Sequence, residues 1–155
     1  MSNPLLDFSA LPAFDRIAPS DVAPAMDTLL AHANQALETV TAIDFPARWS
    51  DIARVLDVAT EQLGRSWGMV SHLNSVADTP ELRAAYNDAL PRVTEFWTRL
   101  GADERLYAKY KAIDVLALNP EQRQAHKNAI SCCQAPNWWG PPRNGLPPFR
   151  SARPN

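Results

Sequence analysis

None of the three histidines in this chain belongs to a His-Glu-x-x-His pair, in which two ligands one helical turn apart grip zinc beside a general base. Nor is there a Glu-x-x-His pair of the di-metal bundle type, or a glycine-rich loop to cradle phosphate. No apolar run approaches the length needed to span a bilayer. Asp7 and Asp15 interrupt any stretch that could form the apolar core of a signal peptide, so the expected location is cytoplasmic. Cysteine is confined to the adjacent pair Cys132 and Cys133. Neighbouring thiols rarely close into a relaxed disulfide, and His126 has no ligand-like spacing to them. They are read as incidental thiols. Acid is missing altogether after residue 130: all 17 acidic residues lie before it, with 12 basic ones, while residues 131–155 carry only Arg143, Arg150 and Arg153. A mildly acidic body has no electrostatic footprint for nucleic acid.

What is present is helical periodicity. The 155 residues are 46% hydrophobic and 21% charged, ordinary for one globular domain. Residues 1–19 read as an extended leader: Pro4, Pro12 and Pro19 discourage helix, and Leu5, Leu6, Phe8, Leu11, Phe14 and Ile17 supply apolar anchors. A first helix is expected after Ser20 as N-cap, with Asp21 and Pro24 in its first turn and an apolar stripe from Val22 to Val40. Ser50 and Asp51 open a second, with Ile52, Leu56, Leu63, Trp67 and Val70 along its buried face toward Val76. Thr79-Pro80-Glu81 starts a third, in which Pro91 is expected to kink or divide the helix. A short helix follows Asp103, and Asn119 with Gln122 forms a capping box for a last one. Alternating strand patterns are absent from residues 1–130. The fold class is therefore all-α, with antiparallel neighbours joined by short connections.

Chemistry is hard to find on these helices. His72, in Ser71-His72-Leu73-Asn74-Ser75-Val76, is the most interesting candidate for a general base, but such a histidine more often bonds a helix end. His32 has no motif around it. Glu38, Asp57, Glu61, Glu95 and Glu104 read as solvated faces. Trp67, Tyr86, Phe96, Trp97, Tyr107 and Tyr110 fall at helical spacing, which favours core packing over base stacking. No catalytic, cofactor-binding or metal-ligating residue is assigned.

Asn3-Pro4-Leu5-Leu6, Leu11-Pro12-Ala13-Phe14, Val22-Ala23-Pro24-Ala25, Ser71 to Val76, Pro80 to Tyr86 and Leu106-Tyr107-Ala108-Lys109-Tyr110 occur in that order. Together they closely resemble the N-terminal region of the thimet oligopeptidase family of zinc metallopeptidases, over residues 1–130. The resemblance implies a nearly all-helical scaffold, cytosolic residence, and one wall of a deep channel that admits short peptides. It also implies a zinc site, a His-Glu-x-x-His helix plus a downstream glutamate, far along the parent chain and without counterpart here. The expectation is thus a helical domain at 20–130, catalytically incomplete, whose cofactor zinc and peptide substrates belong to the intact parent and whose partner would be the missing peptidase remainder. The alternative is a stand-alone helical module that kept the surface as a peptide- or protein-binding wall.

Residues 131–155 form an irregular tail holding six of the fourteen prolines, both cysteines and two of the five tryptophans. The genetic code offers a reason. Joining the last base of each codon to the first two of the next, Asn137-Trp138-Trp139-Gly140 must encode Leu-Val-Gly, and Cys132-Cys133 forces a leucine. One permitted reading from Asn128 is Arg-Asp-Phe-Val-Leu-Ser-Gly-Ala-Glu-Leu-Val-Gly, and from Pro142 Ala-Glu-Arg-Phe-Ala-Ala-Ile. That text is more helical than the printed one and resembles the family's continuation, so a shift of frame near Ile130 is expected. The competing reading, a proline-rich ligand for an aromatic groove, lacks Pro-x-x-Pro spacing between Pro136 and Pro154.

Overall fold

Residues 3–134 are described by a computed structural model, in which every regular element is helical and no strand occurs among the described residues. The leader is not wholly extended. It makes 3-10 turns at Pro4–Leu6 and Phe14–Arg16, the first capped by the Asn3 side chain accepting from the Leu5 N–H. Leu5 is fully buried, whereas Leu11 points into solvent.

Helix α1 spans Pro19–Thr41. It begins before Ser20: Pro19 occupies the first turn, where its missing N–H costs nothing, and the Asp21 carboxylate reaches back to accept from the Ala18 N–H at 2.8 Å. Pro24 lies inside the helix. The second helical run starts at Trp49, not after Ser50, as α2 (Trp49–Ile52), widens into a π-helical turn at Ala53–Asp57, and continues as α3 (Val58–Val76). Both residues flanking the π turn keep right-handed helical dihedrals, so the axis passes through without a break. Gly64 and Gly68 do not interrupt α3; a Cβ on Gly64 would make only an ordinary contact, 3.9 Å from the Trp97 ring, so close packing does not demand glycine there. Helix α4 (Pro80–Ala102) opens as expected, with Thr79 Oγ1 accepting from the Leu82 N–H. Pro91 does not divide it: the proline is solvent-exposed, so its ring and the carbonyl it leaves unbonded are not forced into the core. Helix α5 (Glu104–Lys111) is capped by Asp103, and α6 (Pro120–Gln134) by the reciprocal bonds of Asn119 and Gln122. Helix α6 carries regular structure past Ser131 to Gln134; the proline-rich text from Ala135 to Asn155 lies outside the described residues.

Consecutive long helices run antiparallel, as the short connections require. Packing of α1 on the run from α2 to α3 puts Met26 and Val70 in one cluster and Leu37 and Leu56, of the π turn, in the other. Across α3 and α4, Trp67 stacks on Tyr86 with centroids 4.8 Å apart. This leaves α1 and α4 parallel and side by side, joined by a ladder of Arg92 to Asp27, Arg99 to Asn34, and Arg105 of α5 to Glu38. Two rungs are seven residues apart on each helix, two turns, so both partners return to the same faces.

The core forms two clusters. The lower contains Leu5, Val22, Met26, Leu29, Leu63, Val70, Val93 and Phe96. The upper contains Leu37, Val40, Ile52, Leu56, Leu106 and Tyr110, with Trp49, Ala129, Ile130 and Cys133 packed around it. Leu100 touches both. Each fully buried leucine contributes roughly 1.5–3 kcal/mol.

Candidate functional site

The structure scatters the residues that could carry chemistry. His72, on α3, is exposed and meets the Phe14 ring of the leader edge-on, with centroids 5.3 Å apart. His32, on α1, borders an open groove with Gln35 and Thr39 of the same helix and Val55, Val58 and Gln62 across it. His126 is buried, 5% exposed; its Nε2 lies 2.8 Å from the Tyr110 carbonyl, and its ring faces Trp49 edge-on. It ties α6 to the end of α5. The three rings thus serve three separate places. No group of three or more His, Cys, Asp or Glu side chains that could hold a metal ion occurs among the described residues.

The carboxylates are likewise dispersed. Glu38 accepts two bonds from the Arg105 guanidinium, at 2.9 and 3.0 Å, and this pairing holds its carboxyl below its ordinary value. Asp103 is opposed by partial burial, but Arg105 and the N–H groups of Leu106 and Arg105 outweigh it and keep the carboxyl low. Partial burial in the π turn raises Asp57. Asp51, nearly buried, accepts from Arg48 at 2.6 Å and Arg54 at 3.1 Å. The Glu38 pair ties α1 to α5, whereas the bonds of Asp51 and Asp103 are local to their own helix starts. Trp67 and Tyr86 stack on each other, Phe96 is core, and Tyr110 packs with Trp49. Cys133 is half-buried against the upper cluster.

Three features escape sequence reasoning. Ser66, wholly buried on α3, donates through Oγ to the Leu5 carbonyl at 2.6 Å and pins the leader. Arg65 beside it donates to the Ala10 carbonyl and lies 5.9 Å from the Phe8 ring centre. Asn74 Oδ1, in the distinctive Ser71–Val76 stretch, is buried without a hydrogen-bond partner. The first two depend on residues across the fold, which linear spacing does not reveal.

Among the described residues, the side chains that could carry chemistry lie apart on the packed helices. A family description of the neurolysin/thimet oligopeptidase N-terminal domain matches residues 26–132. Oligopeptidase A of Salmonella typhimurium is 40% identical over 134 residues, and that of Escherichia coli 38% over 134; each alignment takes in 84% of this chain and 20% of the relative. The organellar oligopeptidase A of Arabidopsis thaliana is 39% identical over 112 residues, covering 72% of this chain and 14% of its own length. The chain thus spans about a fifth of the length of the bacterial relatives it matches.

Proposed function

Since the chain belongs to the neurolysin/thimet oligopeptidase family, as its N-terminal domain, we propose that it is the N-terminal part of an oligopeptidase A-like zinc metallopeptidase of the cytoplasm. Its helices supply one wall of a channel for short peptides, while the His-Glu-x-x-His pair of such a peptidase does not occur in these 155 residues. The observation that carries this reading is the 40% identity to oligopeptidase A, collinear over most of the chain but only a fifth of the relative. Zinc in the intact parent would activate water for peptide hydrolysis. The residues here do not fit that ion: His126 is committed to the Tyr110 carbonyl, His72 to Phe14, and His32 sits among amide and hydroxyl side chains. No catalytic step is assigned to them.

The same reading includes the shift of frame near Ile130. It is supported by the forced Leu and Leu-Val-Gly positions of the shifted text and by a family match that ends at residue 132. Two experiments test the proposal. The gene sequence downstream of Ile130 should remain open in the shifted frame; immediate stop codons there end the frame-shift argument. The purified chain, supplied with zinc, should not cleave oligopeptides; hydrolysis abolished by a chelator would show an active site that this reading denies. No observation favours the stand-alone interaction module.

A further inference from the structure

Between Leu5 and Val22, both wholly enclosed in the lower cluster, no residue of the leader is buried. The two ends of this stretch are held together, because the Asn3 side-chain amide donates to the Asp21 carbonyl at 2.8 Å. Residues 4–20 are therefore a closed surface loop of the Ω kind, fastened at its base. Within it the chain has a shape of its own. Asp7 Oδ1 accepts from both the N–H and the hydroxyl of Ser9, at 3.1 and 2.6 Å. Phe14–Arg16 make a 3-10 turn, closed by the Arg16 N–H on the Ala13 carbonyl. Extended residues flank this shaped part, Asp7 on one side and Ile17 on the other.

The stretch between those two residues meets α3 through Arg65 and His72. Arg65 donates to the Ala10 carbonyl at 2.7 Å, a bond open to solvent, and its guanidinium carbon lies 5.9 Å from the Phe8 ring centre. The Phe14 ring meets His72 edge-on. Arg65 and His72 are seven residues apart, two turns, so they share one face of α3. Gly68, on the turn between them, is exposed, and a Cβ there would meet nothing within 4 Å. Phe8 and Ile17 pack only partly against the core. A segment opens most readily where buried apolar contact is scarce and its bonds lie near solvent. We propose that residues 8–16 are a strap that swings off α3 as a unit, turning at Asp7 and Ile17, while Leu5 and α1 stay in place. Arg65 is the latch of this strap. Ser66, the next residue, belongs to the anchor, since its hydroxyl holds the Leu5 carbonyl inside the core. Opening bares Arg65 and His72, which the seated strap occupies.

The test is tryptic cleavage of the full 155-residue chain, followed at the Arg16–Ile17 bond by mass spectrometry. Cleavage of a transiently opened segment tracks the population of the open form. In urea below the unfolding transition its rate should stay flat, because local opening exposes little surface. Arg65→Met removes the latch and should speed this cleavage about tenfold, the factor for one lost bond to a charged donor; Arg65→Lys should restore part of the protection. Leu37→Ala, which weakens the whole domain from the upper cluster, should leave the rate in the absence of urea unchanged, as should Arg83→Met at the surface pair with Asp78. Cleavage that ignores Arg65→Met shows that the bond is open to the protease with the strap seated, and overturns the proposal. Cleavage that speeds with Leu37→Ala, or climbs with urea along the unfolding curve, shows that the strap leaves only when the domain unfolds, and overturns it too.

Discussion

Ser66 shows how much one buried polar group can do. Its hydroxyl is the partner of the Leu5 carbonyl, and both residues are fully enclosed. Ser66→Ala leaves that carbonyl unsatisfied and should cost about 1–3 kcal/mol, read as a lower urea midpoint, with earlier proteolytic cleavage in the leader. Arg105 contributes to the acid response, beside the Ser9 bonds that lower Asp7 and the Arg83 pair that lowers Asp78. Its bonds keep Glu38 and, against burial, Asp103 below their ordinary values. A depressed carboxyl contributes stability that is complete above its unfolded pKa and is lost as pH falls through its folded one. The wild-type chain should therefore lose stability on acidification below about pH 4. Arg105→Met should lower stability at pH 7 and flatten that loss; equal acid sensitivity in both proteins would refute the assignment.

At the scale of elements, the ends of the helices were legible because caps are local chemistry. Thr79, Asp103 and the Asn119–Gln122 pair bond within three residues of themselves, as their spacing suggested. Thr79→Ala should cost about 1 kcal/mol, measured by denaturant titration. The start of α1 was less legible, since Asp21 reaches backward and competes with Ser20 as the nucleating residue. Pro91 was expected to kink or divide α4 and does not divide it; local sequence does not tell which way a proline ring faces. On the exposed side of α4 it leaves an unbonded carbonyl to water rather than to the core. Pro91→Ala should stabilise the protein, by at most about 3 kcal/mol, and a fall in melting temperature would contradict this account. The π turn at Ala53–Asp57 carries no glycine or proline to announce it.

Across the whole molecule, the two clusters are linked through Leu100 and through α1, which runs the length of both. They should unfold together. Leu37→Ala, in the upper cluster and fully buried, should cost about 2–5 kcal/mol while tryptophan fluorescence and far-ultraviolet dichroism still report one coincident transition. Separate transitions would mean that the clusters are independent units. Ile43, wholly exposed, and Leu116, 87% exposed, stand singly at the surface, as apolar residues in connecting segments commonly do.

The helical class, the caps of α4, α5 and α6, the apolar stripes and the family likeness were determined by the sequence alone, because each rests on spacing within a few residues or on an ordered run of them. The tertiary structure alone decided that α1 and α4 lie parallel, bridged by Arg92 and Arg99. It also decided that Ser66 holds the leader and that His126 belongs to the Tyr110 carbonyl. Those facts depend on pairs up to 65 residues apart. Such pairs are set by how helices pack, and helical periodicity says which face is apolar without saying what it meets.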